Sequence, residues 1–213
     1  MINKRVQKIL REKAGLKSGF LIGVAARLAA EKGIEYLLES IPAINSKLKT
    51  QISKPKGNIY RKDEPIFKIV IAGSMDPVGE KNYKEKIINS VKKYKEYVVF
   101  LGELTDAEMG AFYSLLDVLV LPSVNSTEAF GMVQVEAMMM GVPVVATNLP
   151  GVRVPVNRTG MGIVVSPRDS EKLAEAIFEI ISQRSKFMKH KKFIEDEFSA
   201  DKTFKFYKEL IGS

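Results

Sequence analysis

Six short, continuous apolar runs recur along this chain, and the stretches between them carry apolar residues at helical spacing. The runs are FLIGVAA (Phe20 to Ala26), FKIVIAG (Phe67 to Gly73), YVVFLG (Tyr97 to Gly102), DVLVLP (Asp117 to Pro122), PVVATN (Pro143 to Asn148) and GIVVS (Gly162 to Ser166). A strand with one wet face alternates apolar and polar residues, and these runs do not. They suit strands buried on both faces, the condition of a parallel sheet covered by helices on either side. The pattern predicts an α/β, doubly wound, Rossmann-like parallel sheet of about six strands. A ligand should lie at the carboxyl ends of those strands.

The intervening segments fit that scheme. Val6, Ile9 and Leu10 predict an amphipathic helix over 3–14, and Ile34, Leu37, Leu38 and Ile41 predict one from about Lys32. A charged helix follows over about 80–95. Thr105 with Glu108 resembles a capping box and opens a helix through about Leu115. Another helix runs from about Gly131 to Met140 and is closed by Gly141. Asp169 or Ser170 caps a further helix to about Gln183. Residues 46–65 are polar, Lys-rich and contain Pro and Gly, which predicts a long surface loop. The expectation is a single domain across 1–213, with its core at about 16–184 and a basic C-terminal helical segment over 185–213.

A chain of 213 residues is long enough to bury a substantial core. It has no Cys, which excludes disulfides, thiolate metal sites and thiol nucleophiles. The net charge is +8, a field that favours phosphate-bearing ligands, anionic membrane surfaces or nucleic acid without choosing among them. The Lys residues are spread along the chain, apart from KHKK (Lys189 to Lys192) and the Lys47 to Lys56 region. With no nucleic-acid motif present, a solvated surface is favoured over a nucleic-acid footprint. No stretch reaches the apolar length of a membrane span, and the N-terminus is too polar for a secretory signal. The expected location is therefore cytoplasmic, with peripheral membrane contact left open.

Two segments carry candidate chemistry. In GVAARLAAEKGIEYLL (Gly23 to Leu38), a strand ends near Ala26 and a loop with Arg27 and Lys32 leads to a helix start. A forked guanidinium and a compact ammonium near a helix N-terminus suit a diphosphate. Taken alone, the two cations read equally well as solvated loop charges. In SVNSTEAFGMVQVEAMMMGVPVVAT (Ser123 to Thr147), Glu128 lies in a loop after a strand, and Gly131 permits close backbone approach. Glu136 sits among Val133, Val135, Ala137 and Met138, where a carboxylate needs partners such as ribose hydroxyls. A solvent-facing Glu is the commoner fate. Met138 to Met140 read as core packing.

Both segments, in order and correctly spaced, resemble the retaining glycosyltransferases of family 4, also called group 1, which have the GT-B fold. GVAARLAAEKG is similar to that family's G-x-x-x-R-L-x-x-x-K-G loop, and EAFGMVQVE places Glu128 and Glu136 at the spacing of its paired glutamates. The resemblance covers about residues 16–184 and marks the C-terminal, donor-binding half of such an enzyme. It implies that Arg27, Lys32 and Glu128 serve catalysis. Arg27 and Lys32 would hold the donor diphosphate, Glu128 the transferred sugar and Glu136 the ribose. Backbone N–H groups at Phe130, Gly131 and Met132 would meet sugar or phosphate, and the loops at Gly73 and Leu104 would approach the base.

The donor implied is a UDP-, GDP- or ADP-sugar, with no obligatory metal or other cofactor. The partner implied is an N-terminal acceptor-binding domain, which this chain lacks. A non-catalytic nucleotide-sugar-binding or interaction module on the same fold is the alternative. His190, placed in a basic C-terminal helix, reads as a surface residue. Arg153 and Arg158 read as surface charges, and Pro155 lies where the family often has a sugar-contacting Glu.

Overall fold

The computed structural model describes residues 4–15, 19–52, 65–76 and 79–199. In chain order the first elements are α1 (Lys4–Ala14), β1 (Phe20–Ala25), α2 (Ile34–Glu39), α3 (Ile41–Ile52) and β2 (Phe67–Ala72). Next come α4 (Lys81–Lys93), β3 (Val98–Gly102), α5 (Asp106–Leu115), β4 (Val118–Leu121) and α6 (Met132–Met139). The last are β5 (Val144–Thr147), α7 (Val154–Thr159), β6 (Gly162–Val165), α8 (Ser170–Ser182) and α9 (Lys191–Glu197).

The strands form one sheet in the order β3-β2-β1-β4-β5-β6, and every pairing is parallel. The strands are apolar on both faces because both faces are covered. Ile22, Val24, Ile69, Val118 and Val120 face one layer, where Leu37, Ile44, Leu48, Ile87 and Ile177 come from α2, α3, α4 and α8. Leu21, Val70, Leu119 and Val144 face the other, against Leu10, Phe112, Val135, Val156 and Ile194 from α1, α5, α6, α7 and α9. Each fully buried Leu or Ile contributes about 1.5–3 kcal/mol of apolar transfer, so these two layers are the main force holding the sheet between its helices.

Several boundaries differ from the sequence expectation. The helix expected from about Lys32 starts later, after a short 3-10 turn at Ala30–Lys32. It then breaks at Ser40, whose hydroxyl donates to Leu37 O at 2.6 Å. Residues 46–52 belong to α3 rather than to a surface loop. Ile41, Ile44 and Leu48 continue one buried stripe, and this packing outweighs the polar composition around it. The rest of that expected loop, 53–64, lies outside the described residues. Helix α7 was not anticipated. His190 precedes α9 as its N-cap instead of lying in a helix, and it is exposed. The basic C-terminal segment is a 3-10 turn at Arg184–Phe187 followed by α9, and 200–213 lies outside the described residues.

The capping box at α5 has both halves. Glu108 N donates to Thr105 Oγ1 at 3.4 Å, and Thr105 N donates to Glu108 Oε2 at 2.9 Å. Asp169 caps α8 by accepting from Lys172 N at 2.8 Å. Among the described residues, no helix is long and apolar enough to cross a membrane.

Candidate functional site

The sheet order reverses between β1 and β4. From β1 the chain crosses to β2 on one side, and from β4 it crosses to β5 on the other. The loops leaving these two strands therefore part, and a crevice opens at their carboxyl ends. Both candidate segments of the sequence supply these loops, residues 26–33 after β1 and 122–131 after β4.

The loop after β1 carries the cations. Arg27 is exposed, and its Nη2 donates to Glu31 Oε1 at 2.6 Å. Burial raises the Glu31 carboxyl, but hydrogen bonds from its backbone and from Arg27 outweigh this and hold it below the ordinary carboxylate value. Lys32, at the end of the 3-10 turn, reaches across the crevice. Its Nζ lies 2.6 Å from Glu128 Oε2, and the two side chains are only 18% and 16% exposed. Val124 N donates to Glu31 O at 2.9 Å, a second tie between the loops.

The loop after β4 ends at Gly131, which has φ 74° and precedes the first residue of α6. A Cβ on Gly131 would lie 2.4 Å from Leu121 Cδ2, so packing beneath the loop requires glycine as much as backbone conformation does. The buried Gln134 fixes the same turn, its Nε2 donating to Phe130 O at 3.0 Å and Val152 O at 2.9 Å. Phe130 is half-buried, with its ring edge-on to Phe198 at 6.1 Å. Met132 is exposed. The first N–H groups of any helix lack an acceptor within it, and in α6 those belong to the turn that follows Gly131.

A groove of about 330 Å³ runs over the carboxyl ends of β1, β2 and β3. Ala26, Arg27, Gly73, Leu104, Tyr113 and Glu136 line it. Four of the residues singled out from sequence thus share one surface. Gly73 (φ 143°) packs against the neighbouring loop so closely that a Cβ would fall 2.2 Å from Ala26 O. Glu136 corrects the sequence expectation in one respect. Val135, Ala137 and Met138 turn into the core, whereas Glu136 lies on the exposed side of α6. It has a protein partner there, since the buried Tyr113 hydroxyl donates to Glu136 Oε2 at 2.7 Å. Burial first, and then this carboxylate, push the Tyr113 phenol well above its ordinary value.

Lys32, Glu128, Phe130, Gly131 and Met132 do not line that groove. The first two form the ion pair across the crevice, and the others form the entry to the helix that carries Glu136. Sequence reasoning missed Glu31 and Tyr113. Glu31 has no motif to mark it, and Tyr113 stands in the apolar run AFYSLL, where a tyrosine looks like core. The Met run, expected to be core packing, is split, with Met138 buried, Met139 half-buried and Met140 exposed. Arg153 donates to Asn148 Oδ1 at 3.0 Å, and Arg158 pairs with Glu197 at 2.8 Å. Among the described residues, no cluster of three Asp, Glu or His is placed to hold a metal ion.

Fold and site together define a doubly wound, Rossmann-like α/β domain whose polar loops meet at the switch point of the sheet. The chain belongs to the glycosyl transferases group 1 family, whose model matches residues 6–197. An uncharacterized glycosyltransferase of Methanocaldococcus jannaschii is 31% identical over 162 residues, covering 76% of this chain and 36% of that protein. A D-inositol 3-phosphate glycosyltransferase of Corynebacterium urealyticum is 27% identical over 168 residues, 78% of this chain and 35% of that one.

Among solved structures, HepE of Anabaena in complex with UDP and glucose matches with a TM-score of 0.75 at 22% identity, covering 99% of this chain and 53% of HepE. The C-terminal domain of the group 1 family protein LpcC of Francisella tularensis matches with a TM-score of 0.68 at 21% identity, covering 92% of this chain and 94% of that domain. These structural likenesses show the GT-B type of fold. The chain spans about a third of the length of the two curated relatives and about half of HepE.

Proposed function

We propose that this chain is the donor-binding domain of a retaining glycosyltransferase that takes a sugar from a nucleoside-diphosphate sugar. The observation that carries the reading is the groove at the switch point, with Arg27 and Glu136 on its wall and the Lys32–Glu128 pair on the loops that leave β1 and β4. A nucleoside lying along the groove meets a carboxylate, Glu136, suited to accept from ribose hydroxyls. Its base extends towards Gly73 and Leu104. Its diphosphate comes to Arg27 and Lys32, next to the N-terminal turn of α6 with the backbone of Phe130, Gly131 and Met132.

In transfer, the bond between the sugar and the diphosphate breaks and negative charge grows on the leaving oxygen. Arg27 and Lys32 meet that charge with fixed positive groups. Glu128 accepts from hydroxyls of the transferred sugar while it holds Lys32 in place. The acceptor comes from a second, N-terminal domain facing this crevice. The partial coverage of the relatives and the match to a C-terminal domain support this division.

Isothermal titration of the folded chain with UDP-, GDP- and ADP-sugars tests the reading. Saturable binding to one of them is expected, and a folded chain that binds none overturns it. The same series identifies the base.

A further inference from the structure

Tyr113 lies on α5 and Glu136 on α6, and their hydrogen bond is the contact through which one helix orients a group on the other. The tyrosine is 2% exposed, so its ring is fixed by packing, including Phe112 at 5.5 Å between centroids. Glu136 is exposed, and an exposed glutamate ordinarily samples several rotamers. The two therefore have unequal needs. The buried hydroxyl requires an acceptor, whereas the exposed carboxylate has water available. The hydrogen bond that satisfies the hydroxyl therefore also fixes the placement of the carboxylate. It occupies Oε2 and leaves Oε1 to accept from a ligand.

Resting on the donor-site reading above, we infer that Tyr113 is a positioning residue that presents Glu136 to the ribose diol of the bound nucleotide. It belongs to the groove wall and does not touch the reacting atoms. Tyr113 joins the helix that follows β3, beside the Leu104 loop, to the helix that follows β4, and so links the two ends of the groove.

The experiment compares UDP, GDP and ADP with their 2′,3′-dideoxy counterparts by titration calorimetry, using the wild type, Tyr113→Phe and Glu136→Gln. Wild type is expected to prefer the ribonucleotide of its chosen base. Tyr113→Phe keeps the ring and is expected to weaken ribonucleotide binding about tenfold while leaving the dideoxy form unchanged, the scale of one hydrogen bond to a charged group. Glu136→Gln leaves the buried ring untouched and should lower the ribose preference by at least as much. The double variant should lose no more than Glu136→Gln alone.

Tyr113→Phe binding both nucleotide forms like wild type overturns the inference and leaves the donor-site reading standing. An equal loss for both forms also overturns it, because that is a structural effect. Should Tyr113→Phe not fold, a ribose preference kept by Glu136→Gln overturns it. Wild type binding no nucleotide overturns the donor-site reading itself.

Discussion

Lys32 on the loop after β1 and Glu128 on the loop after β4 are joined by a 2.6 Å ion pair that spans the switch point of the sheet. The pair is largely shielded from water, so each group strongly conditions what the other can bind. In the proposed donor site, Glu128 competes with a phosphate for the ammonium and at the same time keeps it aimed into the crevice.

This gives opposite expectations for the two partners. Lys32→Ala should weaken binding of a nucleoside diphosphate by about 1–3 kcal/mol. Glu128→Gln should leave nucleoside diphosphate binding at least as tight as in wild type, and should weaken only the sugar-bearing donor. Calorimetry with UDP and UDP-glucose, or the matching pair for another base, separates them. Equal losses for both ligands in Glu128→Gln would contradict the assigned roles.

Arg27 is paired with Glu31 inside its own loop. Arg27→Ala is expected to cost about 1–3 kcal/mol of donor affinity, the range for a hydrogen bond to a charged group. Its unfolding midpoint should stay close to wild type, because exposed pairs contribute little to folding. Calorimetry alongside thermal melting checks both halves of this statement.

Tyr83 on α4 donates to Glu35 on α2, in a cluster that Lys86 approaches at 3.5 Å. Tyr83 and Glu35 are 7% and 9% exposed. Tyr83→Phe should lower unfolding free energy by about 1–3 kcal/mol at neutral pH, read from urea denaturation. Burial first, and then Glu35, hold the Tyr83 phenol above its ordinary value. Its contribution is therefore complete below the usual phenol value of about 10 and declines as pH rises beyond it. The gap between wild type and Tyr83→Phe should narrow in that alkaline range.

Arg184 donates to Asp117 Oδ1 at 2.9 Å and to Leu116 O at 3.2 Å, while Leu21 N donates to Asp117 Oδ2 at 2.9 Å. Burial raises the Asp117 carboxyl, and the Leu21 N–H and Arg184 oppose that shift only in part. Arg184→Ala removes one opponent and should destabilise the fold by about 1–3 kcal/mol at neutral pH. A carboxyl raised on folding is accommodated better once protonated, so the deficit should shrink as pH falls through the carboxylate range. Denaturant curves at several pH values measure it.

Gly73→Ala should be costly for stability and binding together. The new methyl would meet Ala26 O at 2.2 Å and Arg27 N at 3.0 Å, both backbone atoms without a flexible end to move. The strain at φ 143° adds to the clash, for a total of at least about 1–3 kcal/mol. Thermal melting and donor titration should fall in the same variant, because the displaced segment carries Arg27.

The strands were legible because a strand covered on both faces is apolar throughout, as in FKIVIAG and DVLVLP. Thr105 and Glu108 announced their helix because a capping box is local chemistry. Arg27 and Glu136 stand at motif positions, Gly73 and Leu104 on loops that the family resemblance brings near the base, and the sheet order brings all four to one groove. Helix α7 was hidden because Val154, Pro155 and Val156 are poor helix formers, and its short turn persists because Pro155, Val156 and Thr159 are buried. Tyr113 was hidden for a different reason. A tyrosine in an apolar stretch looks like core until the position of its hydroxyl is known. The pairing of Lys32 with Glu128 joins residues 96 positions apart and depends on β1 and β4 being neighbours.

Gly151 has a comparable constraint beneath the loop after β4. A side chain there would begin 1.6 Å from Ala129 O, so the segment between Glu128 and Phe130 rests directly on another stretch of main chain. A floor made of backbone leaves no side chain to exchange for a larger or smaller one. The depth of the crevice at this loop is therefore set by the fold itself. In the donor site proposed above, the choice of sugar then falls to residues on the rim, or to a domain that closes over it.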